Sequence, residues 1–347
     1  MTLELERQLS EYGRQLNTHI GDIDPDVAQE IAPRHRIHGA WLVSIGAAAA
    51  TILVVGLLPL LLSPNGPAPN QTISAGTAEL FVADLGNPTA VAVDSSGRLI
   101  ILEHGPGAVI QVEVLADGTA GETVTIVPDP GEDLHALALD ANGVVHYTNY
   151  DDVYRLSDEA NPPNYNSAPF IGGLLGGYDY EGVPALAIDD DGDLYVAGIA
   201  ESGTGIRITK VEVLPNGEAG TPIELATAAV LRGPADAYVL DIVYAATNQL
   251  FVVNGTGKVW VVTLSDDGSV DSMQVFATVA GSAHSLDVDP SGRIYVATDL
   301  GTVWRITSDG GTIAVASGFE DVGSIAVGDS GVLYLVEGDD ILRLGSG

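Results

Sequence analysis

The chain has 347 residues, with 47 Asp and Glu against 13 Lys and Arg, a formal net charge of -34, and no cysteine. Such an excess of acid repels phosphate backbones, which are held by clustered Lys and Arg, and this excludes nucleic acid as a partner. Without cysteine neither a disulfide framework nor a thiolate metal site forms, so the fold must rest on a self-sufficient core, which 46% hydrophobic content supplies.

Residues 1–38 read as a partly helical tail. Leu5, Leu9, Tyr12 and Leu16 recur at helical spacing. Asp24-Pro25-Asp26 carries the cap, the first-turn proline and the acid that start a second short helix, which Pro33 ends. A lone helix this short is marginal in water. The apolar stripe therefore reads either as nascent helicity or as a docking face for a cytoplasmic partner.

Residues 39–62 read as a single transmembrane helix. The segment 40–62, AWLVSIGAAAATILVVGLLPLLL, holds no charge, and its 23 residues are long enough to cross a bilayer core. Arg34 and Arg36 precede it, while the first base after it is Arg98. Positive charge stays inside, which puts the N-terminus in the cytoplasm and the rest of the chain outside. A cleaved signal peptide would have a shorter n-region and a small-x-small cleavage site. Residues 63–77, rich in Pro, Gly and Asn, read as an extracytoplasmic linker.

From residue 78 onward one pattern repeats: an apolar strand, often an Asp, a Gly-containing turn, and a second apolar strand. The copies are AVAVDSSGRLII (90–101), ALALDANGVVHY (136–147), ALAIDDDGDLYV (185–196), DIVYAATNQLFV (241–252), SLDVDPSGRIYV (285–296) and SIAVGDSGVLYL (324–335). Their turn residues, Gly97, Gly143, Gly192, Asn248, Gly292 and Gly331, are 46, 49, 56, 44 and 39 residues apart, the spacing of propeller blades. Third strands such as KVWVVTL and weaker fourth strands such as MQVFATV follow each pair. The expectation is an all-β chain: a six-bladed β-propeller of four-stranded antiparallel blades over 78–347. The last copy ends after three strands, so the orphan strand 78–84 is read as the outer strand that closes the sixth blade.

These residues resemble the NHL-repeat and regucalcin/gluconolactonase-like group of six-bladed propellers. The resemblance covers about residues 78–347 and is specific to fold rather than function. An anchored propeller of this kind also resembles the extracytoplasmic sensor domains of some bacterial receptor kinases, although no kinase sequence is present here.

In a propeller, the loops entering each innermost strand and those joining the second strand to the third share one face at the channel mouth. Reading that face blade by blade collects Glu103, His104, Asp133, His135, Asn149, Asp151, Glu181, Glu201, Asp236, Asn254, His284, Asp299, Asp321 and Glu337. His135 and His284 stand five residues before the Asp of their repeats, in blades three apart, and are suited to grip two ends of one bound molecule. The 27-residue segment 157–183 is long for a loop and carries Tyr165, Phe170, Tyr178 and Tyr180 among paired glycines. It reads either as a binding loop or as a self-packed insertion. Asp189-Asp190-Asp191-Gly192-Asp193 has the look of a calcium loop but lacks the closing Glu, and reads as a hairpin. Asn70 and Asn254 match the glycosylation acceptor pattern.

Three functional readings follow. The first is a non-catalytic, membrane-tethered module that binds a protein, peptide or polymer at the mouth. Its candidate contacts are Glu103, His104, His135, Tyr165, Phe170, Tyr178, Tyr180 and His284. The second, implied by the resemblance to regucalcin-like propellers, is a metal-dependent hydrolase or lactonase. There Ca²⁺ or another divalent cation would sit near Glu103, Asn149 and Asp299. The third is a quinone-dependent sugar dehydrogenase, suggested by GRLIILEHGPG (97–107), but the mouth loops lack that family's basic cofactor clamp. No nucleophile-elbow, catalytic-triad or phosphate-loop signature is present.

Overall fold

The computed structural model describes residues 73–74, 78–104, 107–128, 134–149, 152–156, 169–172, 185–199, 206–228, 239–245, 248–265, 268–320, 322–328 and 331–345. The tail 1–38 and the apolar segment 39–62 lie outside them. Among the described residues no helix is long and apolar enough to cross a membrane.

Two strands, β1 (Ile73–Ser74) and β2 (Glu79–Val82), precede the first full blade. Blade 1 is β3 (Pro88–Val93), β4 (Leu99–Glu103), β5 (Val109–Val114) and β6 (Ala120–Val127). Blade 2 has β7 (Leu137–Leu139), β8 (Val145–Thr148) and β9 (Val153–Arg155). Blade 3 is β10 (Ala185–Ile188), β11 (Leu194–Ile199), β12 (Ile206–Val211) and β13 (Ile223–Ala228). Blade 4 is β14 (Val239–Ala245), β15 (Gln249–Asn254), β16 (Lys258–Leu264) and β17 (Val270–Thr278). Blade 5 is β18 (Ala283–Val288), β19 (Ile294–Thr298), β20 (Thr302–Ile306) and β21 (Thr312–Ser317). Blade 6 is β22 (Val322–Val327), β23 (Leu333–Glu337) and β24 (Asp340–Leu344), with β2 antiparallel to β24 on its outer side. The innermost strands touch in the cyclic order β3, β7, β10, β14, β18, β22 and back to β3. That closed circuit is a six-bladed propeller.

Two blades depart from a uniform four strands. In blade 2 the described strands number three, and the fourth place is held by one antiparallel bridge between Val153 and Ile171. In blade 5 the short β1 adds a fifth strand parallel to β21. Neither departure is visible in a repeat pattern built on the first two strands of each blade.

The core is divided into six wedges, one per blade interface. Along β4, Leu99 and Ile101 pack toward blade 6 while Ile100 and Leu102 pack toward blade 2. Along β15, Leu250 and Val252 face blade 3 while Phe251 and Val253 face blade 5. A strand buried on both sides must be apolar at every position, because successive side chains point to opposite faces. This is why the second strand of most repeats is a continuous apolar run, β8 with its His146 and Thr148 being the exception.

The repeated Asp builds the turn between the first two strands. In blades 1, 2, 3 and 5 an Oδ1 of Asp94, Asp140, Asp189 or Asp289 accepts from the amides two and four residues on. The turn ends on a residue of positive φ, Gly at five positions and Asn248 (φ 56°) in blade 4. Asn takes that conformation more readily than other side chains do.

Candidate functional site at the channel mouth

The inner strands enclose a channel with a cavity of about 310 Å³. Most of its wall is Ala, Val, Leu and Ile, and no Lys or Arg lines it among the described residues. His135 and His284 both line it, each at the entry of an inner strand, in blades 2 and 5. Their register equivalents in blades 1 and 6 are Thr89 and Gly323. His104, from the loop after β4, lies against His135 with ring centroids 5.7 Å apart. The two histidines of adjacent blades thus form one aromatic patch, with His284 in a blade three places round the ring.

Among the described residues, the carboxylates of Glu103, Asp299 and Glu337 on this face accept from the backbone. Glu103, at the end of β4, is buried and its Oε1 accepts from the amide of Gly86. Asp299 accepts from Ser282 N at 2.8 Å, and Glu337 from Glu320 N at 2.8 Å. In all three blades the acid braces the backbone 17 residues earlier, where the chain enters the inner strand. A charged acceptor on an otherwise unpaired amide is a strong local tie. Asn149 and Asn254 stand in blades 2 and 4 at the place of Glu103 and Glu337, which in blade 5 is Thr298, one residue before Asp299. Asn149 Oδ1 accepts from Asp152 N at 2.7 Å, and Asn254 Oδ1 from the Thr256 hydroxyl at 2.6 Å. Glu103, Asn149 and Asp299 therefore each hold a loop of their own blade. Among the described residues no three His, Asp or Glu side chains gather in a way that could hold a metal ion.

Phe170, half-buried, is drawn into the interface of blades 2 and 3 rather than left facing the mouth. Its ring meets His146 edge-on at 5.9 Å, and the Arg155 guanidinium lies 5.6 Å from its centre. Tyr165, Tyr178 and Tyr180, like Asp133, Asp151, Glu181, Glu201, Asp236 and Asp321, lie outside the described residues. The Asp189–Asp193 run is a hairpin locked by its own blade: Tyr195 donates to Asp189 at 3.0 Å and Lys210 pairs with Asp193 at 2.8 Å. Asn254 is 1% exposed in the folded chain.

Three functional-grade side chains escape a reading of loops alone. Asp241 in β14 and Asp287 in β18 line the channel cavity itself. Burial pushes their carboxyls up, to about 6 and about 7 respectively, against the opposing effect of backbone hydrogen bonds. Their signal in the sequence is an acid inside an apolar inner strand, VLDIVYA and AHSLDV: the other blades carry Ala or Ser at the place of Asp241 and Ala or Val at that of Asp287. His146 in β8 is 1% exposed. Burial, and secondarily the Arg155 charge, lowers its pKa to about 4, so it is neutral at pH 7.

Neither the models of protein families nor the curated proteins give a match to this chain. Solved structures do. A gluconolactonase from Xanthomonas campestris superposes with a TM-score of 0.57 at 13% identity, over 81% of this chain and 98% of that one. A putative gluconolactonase matches at 0.56 and 15% identity, over 78% and 93% of the two chains. The PQQ domain of pyranose dehydrogenase from Coprinopsis cinerea matches at 0.56 and 12% identity, over 81% and 98%. At such identities the likeness is one of fold: six-bladed propellers resembling the gluconolactonase structures.

Proposed function

We propose that this chain is a membrane-tethered binding module. Its extracytoplasmic propeller takes a neutral or cationic protein, peptide or polymer segment at the channel mouth, about His104, His135 and His284. The observation that carries this reading is the engagement of Glu103, Asn149 and Asp299 with the backbone of their own blades, which leaves the mouth a recognition surface. A net charge of -34 favours cationic partners by long-range attraction and disfavours anionic ones. The tether is residues 40–62, with Arg34 and Arg36 keeping the tail in the cytoplasm, where its apolar stripe is available to a partner.

A second reading is favoured by the fold likeness to gluconolactonases: a hydrolase or lactonase with a divalent cation near Glu103, Asn149 and Asp299. Metal analysis of the purified full-length chain, with melting curves in the presence and absence of EDTA, separates the two. The binding module has no stoichiometric ion and an unchanged melting temperature. A bound ion whose removal lowers the melting temperature, together with lactone turnover that follows the metal, refutes it. Fluorescence anisotropy with labelled peptides of positive, zero and negative charge then tests the ligand class. Equal affinity for all three, or no change in His135→Ala and His284→Ala, would also overturn the reading.

A further inference from the structure

The six innermost strands expose their edges to one another across the channel, and their amides need partners there. In half of the ring those partners are side chains from the preceding blade. At one register place the blades carry Ala90, Ala136, Ala185, Asp241, Ser285 and Ser324 in order round the ring. Where the residue is polar, it stitches forward. Asp241 accepts from Ser285 Oγ at 2.8 Å and from Leu286 N at 3.0 Å, tying blade 4 to blade 5. Ser285 Oγ accepts from Ile325 N at 3.3 Å, and Asp287 accepts from Val327 N at 2.7 Å, tying blade 5 to blade 6. Ser324 Oγ accepts from Val91 N at 3.3 Å, tying blade 6 to blade 1.

Both acids of this seam are half-buried and line the channel cavity. The titratable groups about them are each other, Asp289 just after β18, Tyr244 on β14, His284 on β18 and His135 just before β7. The parts of β3, β10 and β22 that line the cavity bring no titratable side chain, and no Lys or Arg lines it among the described residues. An ionised pair here has hydrogen bonds but no counter-ion, whereas a protonated carboxyl keeps one oxygen free to accept the same amide.

We propose that Asp241 and Asp287 make the blade 4–5–6 wall of the channel a proton-operated seam. With the carboxyls neutral the seam is closed. With both ionised, charge without a counter-ion draws water into the channel and loosens the hydrogen bonds from Leu286 and Val327. The raised pKa of both groups, about 6 for Asp241 and about 7 for Asp287, supports this.

The sign follows from linkage. A carboxyl whose folded pKa lies above its unfolded value contributes stability that is complete below about pH 4. That contribution is lost as pH rises through the folded value. The test compares the full-length chain with Asp241→Asn and Asp287→Asn, and with Asp309→Asn as an exposed control. Chemical unfolding is followed from pH 4 to pH 8. The ratio of wild-type to Asp287→Asn unfolding constants is expected to rise about tenfold per pH unit between pH 4 and about pH 7. Asp241→Asn should show the same slope over a shorter range, and Asp309→Asn none above pH 5. Equal slopes in the wild type and both lumen variants overturn the proposal. Should the variants not fold, hydrogen exchange on the wild type decides. Protection factors at Leu286 and Val327 should fall at least tenfold from pH 5 to pH 8 while those of β15 hold, and a uniform change refutes the seam.

Discussion

Replacing Glu103 by Ala is the most direct test of whether the mouth acids are braces. Glu103 is 6% exposed and its carboxylate accepts the Gly86 amide just before β3. A hydrogen bond to a charged acceptor is worth about 1.5–3 kcal/mol, and its loss leaves a backbone donor short of its partner. With an m-value of about 3 kcal/mol per molar in urea, a cost of about 2 kcal/mol lowers the midpoint by about 0.7 M. Glu103→Gln keeps an oxygen in place and should recover about half of that loss, because a neutral bond is worth about 1 kcal/mol. Asp299 does the same job from an exposed position, so Asp299→Ala should fall within about 0.5 kcal/mol of wild type. Urea unfolding of the three variants, followed by tryptophan fluorescence, ranks them. The reasoning fails if Asp299→Ala costs as much as Glu103→Ala, or if Glu103→Gln is no better than Ala.

Further outcomes follow from the turns and from buried charge. Gly97 and Gly301 both have positive φ, but a Cβ on Gly97 meets nothing within 4 Å, whereas one on Gly301 runs into the Phe319 backbone. Thermal melting should show Gly97→Ala costing about 1 kcal/mol and Gly301→Ala about 3 kcal/mol or more, since the latter must break the Gly318 and Phe319 bonds to Gly301 O. His146 is held neutral with a folded pKa of about 4, so the unfolded chain binds more protons between pH 6.5 and 4. Its contribution is therefore complete above pH 6.5, and up to about 3 kcal/mol of it is lost as pH falls to 4. His146→Leu should be near wild type at pH 7 and more stable than it at pH 4.5 by urea titration; an unchanged acid limb would refute this. Asp289 runs the same way: burial opposes ionisation, but bonds from Ser291 and Arg293 win and lower its pKa. Asp289→Ala should therefore destabilise at pH 7 and lose that penalty as pH falls through the lowered pKa of Asp289, read from the same titrations.

The six apolar–turn–apolar repeats made the architecture legible because a propeller blade is a local object. Its first two strands pair through one turn, and the turn chemistry is written in four consecutive residues such as Asp94 to Gly97. The continuous apolar runs of β4 and β15 likewise require that both of their faces be covered. The departures were not legible. Beyond its pairing with Thr148 in the blade, Val153 bridges to Ile171, and Ile73–Ser74 lies along β21 of blade 5, more than 230 residues away. Such pairings depend on which edge is free once the ring exists.

The candidate site divides in the same way. His135 and His284 were placed by repeat register, because equivalent positions of a cyclic fold must face the same axis. That Glu103 and Asp299 turn to the backbone 17 residues earlier, and that His104 meets His135 across a blade boundary, was decided by the tertiary structure alone. Composition and repeat determined the class of fold, the number of blades and the sign of the surface charge, since each is a sum or a period over the chain. Only closure of the ring decided which acids become braces and which, like Asp241 and Asp287, are left facing the channel. A side chain's partner across a blade interface is set by geometry that no local stretch of sequence contains.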